Sequence, residues 1–167
     1  ANALLKGSDH ALHLPALAGM SGVQVVGACD IDAGRRERAA TTWKVPVFED
    51  FDDMLARANA DVIVIGTPPD SHARYCMKSF AAGAHVICEK PMAITLSAAD
   101  ELVHACDDNV VHLFVIKQNR LNPAVQLVKR ALDKGRFGRL YLANTTVRWT
   151  RPQEYYDQAP WRGTWEF

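Results

Sequence analysis

The sequence predicts a doubly wound α/β domain, with helices on both faces of a parallel sheet, followed by the start of a second α/β domain. Three observations predict it. Short apolar runs rich in Val and Ile alternate with amphipathic stretches, the pattern of strands buried on both sides. Each strand-to-helix unit takes roughly the ~30 residues of a βαβ crossover. The rhythm then changes after Lys117.

Taken in order, strands are expected over residues 3–6, 24–29, 45–48, 61–66, 85–88 and 112–117. The fourth is the clearest: Val62-Ile63-Val64-Ile65 is a β-branched run ended by Gly66 and the Pro68-Pro69 pair. Helices are expected over 10–20, 33–43, 50–58, 70–82 and 97–106. Asp50 and Ser97 are candidate N-caps, because their side-chain oxygens can accept from the free amides of a first turn, and Gly83 fits a helix stop. Beyond Lys117, Asn122-Pro123 opens a helix to Lys134, Gly135 ends it, and 139–149 reads as one long strand without later strands to pair with. The expected division is a dinucleotide-binding domain over 1–118 and the incomplete start of a second domain over 119–167.

Composition narrows the function classes. At 167 residues and 49% hydrophobic, the chain is long enough for one complete core and part of another. Its 19 basic and 19 acidic residues cancel, so no general field favours nucleic acid or an anionic membrane. Cys29, Cys76, Cys88 and Cys106 show neither CxxC spacing nor a dense disulfide pattern, and the histidines form no HExxH, so a reduced cytoplasmic protein without structural metal is expected. No apolar run approaches the ~20 residues of a membrane span, and the N-terminus lacks the order of a secretory signal. The opening Ala1 in place of methionine points to a trimmed or incomplete chain.

A dinucleotide site needs a glycine-bearing turn after the first strand, where backbone amides and a helix N-terminus meet the pyrophosphate. Gly7 is the candidate. Leu5 stands where the fingerprint's first glycine would be and Asp9 adds negative charge, so an ordinary strand-to-helix loop competes. Asp30, with Ile31 beside it, ends the second strand about 20 residues on, where a carboxylate accepts ribose hydroxyl protons and repels a 2′-phosphate. This favours NAD over NADP. Asp32 competes for that role, helix capping is the alternative for both aspartates, and Arg35 and Arg36 are either solvated or turned toward a phosphate.

Thr67 and Pro68 follow the fourth strand at its carboxyl end, where ligands sit in open α/β sheets. His72 either adds a polar contact to the cofactor or faces solvent from a first helical turn. Glu89-Lys90-Pro91 follows the fifth strand at the same edge. A lysine there can hydrogen-bond a substrate hydroxyl and stabilise alkoxide charge, with Glu89 orienting it, and a surface ion pair is the competing explanation. Gln118, Asn119 and Arg120 offer amides and a guanidinium suited to sugar hydroxyls and to a carboxylate or diphosphate, or simply cap the next helix.

Two segments make a resemblance specific: Asp61-Val62-Ile63-Val64-Ile65-Gly66-Thr67-Pro68 followed by His72, then Gly83-Ala84-His85-Val86-Ile87-Cys88-Glu89-Lys90-Pro91-Met92-Ala93. With Ala28-Cys29-Asp30-Ile31-Asp32 upstream and Gly135-Arg136-Phe137-Gly138-Arg139 downstream, the chain resembles the Gfo/Idh/MocA oxidoreductases over nearly its whole length. The segment Lys117 to Pro123, Tyr155-Tyr156, and Trp161-Arg162-Gly163-Thr164-Trp165 are most similar to the members that oxidise the 3-hydroxyl of UDP-N-acetylglucosaminuronate. The resemblance implies a Rossmann-type domain followed by the family's α/β substrate domain. It also implies a cytoplasmic NAD-dependent dehydrogenase serving bacterial surface polysaccharide synthesis, and a homo-oligomer in full-length form.

On the same footing Lys90 is catalytic. Gly7, Asp30, Ile31, Thr67, Pro68, His72, Glu89, Lys90, Gln118, Trp161 and Arg162 are assigned to the cofactor, and Lys90, Asn119 and Arg120 to the nucleotide-sugar. Two departures stand out: the glycine loop is irregular at Leu5, and the family's downstream Asp and acid/base His have no counterpart before Phe167. The alternatives are a noncatalytic dinucleotide-binding or assembly module, and a dehydrogenase acting on another sugar, an inositol or a diol.

Overall fold

The computed structural model describes residues 13–157 and 162–163. The chain divides into two compact units, the first running through Ile116 and the second over Lys117–Gly163. In the first unit the strands are β1 (Ala28–Cys29), β2 (Val47–Phe48), β3 (Val62–Ile65), β4 (His85–Cys88) and β5 (Leu113–Val115), and the helices are α1 (His13–Ala18), α2 (Ala33–Arg38), α3 (Phe51–Ala58), α4 (His72–Ala81) and α5 (Leu96–Asp108). Every described strand pair is parallel: β1 with β2, and β3-β4-β5 in that order. The strand expected over 3–6 lies outside the described residues.

Alternation along the strands explains why both sheet faces are covered. On β3, Val64 clusters with Leu14 of α1, with Leu17, Val25 and Ile87 packed around them. Ile63 and Ile65 point the other way, into a core shared with Val86 and Cys88 of β4, Cys76 and Phe80 of α4, and Leu102 and Cys106 of α5. A period of two therefore feeds two separate apolar layers, the condition for a doubly wound arrangement. Close approach also shapes β1: a Cβ on Gly27 would lie 3.0 Å from the Phe48 ring.

Capping follows local chemistry, with one correction. Asp50 caps α3, accepting from the amides of Asp52 and Asp53. For α5 the cap is Thr95, not Ser97: Thr95 is extended and its hydroxyl accepts from the Ala98 amide at 3.2 Å, while Ser97 already lies inside the helix. Gly83 takes a left-handed φ of 77°, which stops the chain after α4. The helix expected over 33–43 is α-helical only to Arg38 and then widens into a π-type turn through Trp43. The strand expected over 24–29 pairs only at Ala28–Cys29, because β2 offers only Val47 and Phe48 opposite it.

The second unit opens with a 3-10 turn (Gln118–Leu121), then α6 (Pro123–Asp133), capped by Asn122 through the Ala124 amide, and later α7 (Gln153–Asp157). The strand expected over 139–149 is not formed. These residues carry no regular structure, and Leu140, Leu142, Val147 and Trp149 are each more than half exposed. A strand exists through its ladder, and among the described residues no segment pairs with this one. No described helix is long and apolar enough to cross a membrane.

Candidate active site

Register brings the candidate residues of the first unit to one edge. Ile65 pairs with Cys88, so the turns after β3 and β4 leave the sheet side by side, and the Glu89 amide donates to the Ile65 carbonyl at 2.9 Å. This edge carries Thr67-Pro68 from one strand and Glu89-Lys90-Pro91 from the next. It is the carboxyl end of a parallel sheet, where nucleotides bind in this architecture.

The two aspartates after β1 separate cleanly. Asp32 is the helix cap, accepting from the Arg35 amide at 2.8 Å. Asp30 is 6% exposed and its Oδ1 accepts from the Asp32 amide at 2.9 Å, leaving Oδ2 with Arg35 Nη1 at 3.6 Å. Arg36 is neither solvated nor aimed at a phosphate. Its guanidinium donates to the carbonyls of Asp30 (2.8 Å) and Ile31 (3.0 Å) and to the Glu49 carboxylate (2.9 Å), tying the exit of β1 to the end of β2. The Ile31 side chain is 70% exposed.

At the turn after β3, the Ser71 hydroxyl pairs with the Thr67 hydroxyl (2.7 Å) and reaches the Pro68 carbonyl (2.8 Å), which fixes the backbone presented at the edge. At the turn after β4, one Glu89 oxygen lies 2.9 Å from Nε2 of His13, and the other accepts the Lys90 amide at 3.1 Å. Glu89 thus holds the Lys90 backbone. The Lys90–Pro91 peptide is cis. The Lys90 side chain is exposed and its ammonium makes no ion pair with any described residue; the ionic contact described at this turn is that of Glu89 with His13.

His72 departs from both sequence alternatives. It is 1% exposed, with Nδ1 2.7 Å from the Pro91 carbonyl and Nε2 2.7 Å from the Thr67 carbonyl. Neither nitrogen is left to meet a cofactor or solvent. Burial alone would lower its pKa, but the neighbouring Cys88 side chain and the two carbonyls outweigh that and raise it to about 8. Cys88 is pulled down to about 6, first by a hydrogen bond from Cys76 and then by His72, against burial and Glu89, while Cys76 is pushed up.

In the second unit, Gln118, Asn119 and Arg120 lie in the 3-10 turn, all exposed. Arg162 donates to the Tyr155 carbonyl at 2.8 Å and stacks its guanidinium 4.2 Å from the Tyr155 ring centroid. Gly7 and Trp161 lie outside the described residues. Sequence reasoning missed His13, whose partner Glu89 is 76 positions away, and the Cys76–Cys88 pair under His72; no local pattern signals either.

Comparison with known proteins bears on the fold and the family. Residues 6–117 match the Gfo/Idh/MocA family model, described as an oxidoreductase family with an NAD-binding Rossmann fold. The chain is similar to the WlbA dehydrogenase of Chromobacterium violaceum, solved in complex with NADH and UDP-GlcNAcA, at 42% identity and a TM-score of 0.93 over 99% of this chain and 49% of that one. The Bordetella pertussis WlbA dehydrogenase, in complex with the same two molecules, gives 41% identity and 0.92 over 99% and 48%. Among curated relatives, D-apiose dehydrogenase of Paraburkholderia graminis is 33% identical over 81% of this chain and 36% of its own length. Inositol 2-dehydrogenase of Salmonella paratyphi B is 29% identical over 90% and 47%. The chain therefore spans about half the length of these proteins or less. The chain belongs to the Gfo/Idh/MocA oxidoreductase family and carries its NAD-binding Rossmann fold.

Proposed function

We propose that the full-length protein is an NAD-dependent dehydrogenase acting on the 3-hydroxyl of a UDP-N-acetylglucosaminuronate-type nucleotide sugar, a precursor step for bacterial surface polysaccharide, and that this chain supplies its NAD-binding domain. The observation that carries the reading is Lys90: an exposed ammonium with no described ion-pair partner, on a turn held by Glu89, beside the Thr67 turn at the sheet's carboxyl edge. An ammonium has no lone pair, so Lys90 donates to the substrate hydroxyl oxygen and stabilises the charge that grows there as hydride leaves the carbon.

The residues present fit the cofactor. Asp30 offers a buried carboxylate with one oxygen not engaged by the Asp32 amide, suited to a ribose diol, and Thr67-Pro68 and Glu89 line the same edge. NAD, when bound, supplies the hydride acceptor. Gly7, Ile31, Gln118, Trp161 and Arg162 are assigned to the cofactor, and Asn119 and Arg120 to the sugar, on the resemblance alone. The substrate class is supported by the 42% and 41% identity, over 99% of this chain, to two dehydrogenases solved with NADH and UDP-GlcNAcA. Buried thiols outside any disulfide fit the reducing cytoplasm, and a homo-oligomer is implied by the resemblance alone.

The test is NADH formation by the full-length protein, followed by absorbance, with UDP-N-acetylglucosaminuronate, myo-inositol and D-apiose compared at equal concentration. The uronate should be turned over fastest. A second reading, oxidation of a free polyol or sugar, has the inositol 2-dehydrogenase and D-apiose dehydrogenase likenesses behind it. Faster oxidation of myo-inositol or D-apiose would favour that reading; NAD binding without turnover of any of the three would leave a noncatalytic dinucleotide-binding module, and failure to bind NAD at all an assembly module.

A further inference from the structure

We propose that His72 is a positioning residue, a doubly protonated imidazole whose two N–H groups clamp the Thr67 carbonyl after β3 to the Pro91 carbonyl after β4 and so hold the Lys90 turn against the cofactor-facing turn. The proposal rests on the reading of that edge given above.

The geometry leaves little choice of protonation state. Both partners are backbone carbonyl oxygens at 2.7 Å, and a carbonyl only accepts. A neutral imidazole has one N–H and one lone pair, so one of the two contacts would set a lone pair against a carbonyl oxygen in a site 1% exposed. The imidazolium satisfies both. Opposing its charge are burial, the amide end of α4 at which His72 sits, and the ammonium of Lys90 next to Pro91.

Favouring the charge are the Cys88 side chain of β4, which has Cys76 of α4 beside it, and the two carbonyl dipoles. Glu89 sits beyond Cys88, with its carboxylate at His13 of α1 and the Lys90 amide. The balance falls on the charged form, which persists above the ordinary imidazole range to about 8. The position of the bridge gives it a purpose. The last backbone bond between the two segments is Glu89 N–H to the Ile65 carbonyl, and no described backbone bond joins the turns beyond it. His72 is the cross-link at the next level out, where Thr67 and Lys90 are presented.

The test uses the 167-residue chain labelled with 15N histidine. Both His72 ring nitrogens should be protonated at pH 7, with proton loss centred near 8. His72→Gln keeps a donor for one carbonyl only, so exchange of the Thr67 and Lys90 amides should rise about tenfold or more while Ile63 and Val86 stay protected. NAD affinity of the unmodified chain should fall as pH passes about 8, where the clamp loses a donor, and the Gln variant should show no such step. A single protonated nitrogen at pH 7, or a midpoint at or below the ordinary 6.5, overturns the clamp, and this ring measurement decides even if the variant fails to fold. Unchanged exchange at both turns in a folded variant overturns it too. If both nitrogens are protonated but the unmodified chain does not bind NAD, the functional reading of the edge fails and the clamp stands.

Discussion

Replacing Asp30 by asparagine isolates one charge at the cofactor edge. In the native chain Oδ1 accepts the Asp32 amide at 2.9 Å, and asparagine retains an oxygen for that bond, so the turn out of β1 survives. The change falls on the second oxygen, which becomes an amide NH2 and loses both its acceptor role and the negative charge. One charge-assisted hydrogen bond is worth about 1.5–3 kcal/mol, so NAD should bind about 10- to 150-fold more weakly. Folding should be little affected: the Asp30–Arg35 ion pair spans 3.6 Å with Arg35 39% exposed, and its removal should cost at most about 1 kcal/mol. NADP should respond in the opposite sense, because the carboxylate no longer repels a 2′-phosphate and Arg35 is released to meet it. Calorimetric titration with both cofactors at fixed ionic strength measures the two changes, and a thermal melt separates them from unfolding. NAD affinity within twofold of the native chain, or tighter binding of NADP than NAD by the native chain, would refute the assignment of Asp30.

Lys90→Met in the full-length protein removes the ammonium at nearly constant length. Turnover should fall about 100-fold or more with NAD affinity kept, and normal turnover would reduce Lys90 to a surface residue. Phe80→Ala empties the centre of the core, since Phe80 is 0% exposed, and should cost about 3–5 kcal/mol in urea denaturation. A loss below about 1 kcal/mol would contradict the packing of α4 on the sheet. Cys29, Cys76, Cys88 and Cys106 are all buried and none is in a disulfide, so a thiol reagent should react slowly with the native chain and with all four once it is denatured. Rapid native labelling of Cys88 would show that the layer beneath His72 is open.

Several features of this protein follow from short-range chemistry and are therefore legible in sequence. The β-branched run at Val62 to Ile65, the Asp50 cap, the Gly83 stop and the Asn122-Pro123 helix start each depend on groups within about four residues of one another. The alternation of strands and helices then places Asp30, Thr67 and Lys90 at strand ends, and parallel pairing puts the Thr67 and Lys90 turns side by side. What remained undecided involved choices between nearby equivalents or partners far along the chain. Asp30 and Asp32 are equal as letters; only the path of the chain out of β1 makes Asp32 the cap and buries Asp30. Thr95 displaces Ser97 because its backbone is the one still extended where α5 begins.

His72 reads as a cofactor contact or a surface histidine until Pro91, 19 positions on, supplies the second carbonyl, and Glu89 waits for a histidine 76 positions back. The residues 139–149 show the converse: their pattern has strand character, but a strand is a property of a pair, and the described chain offers no second member. Sequence determines which groups are available within a few residues, and the tertiary structure decides which of them are buried together, because burial and hydrogen bonding are settled by neighbours in space.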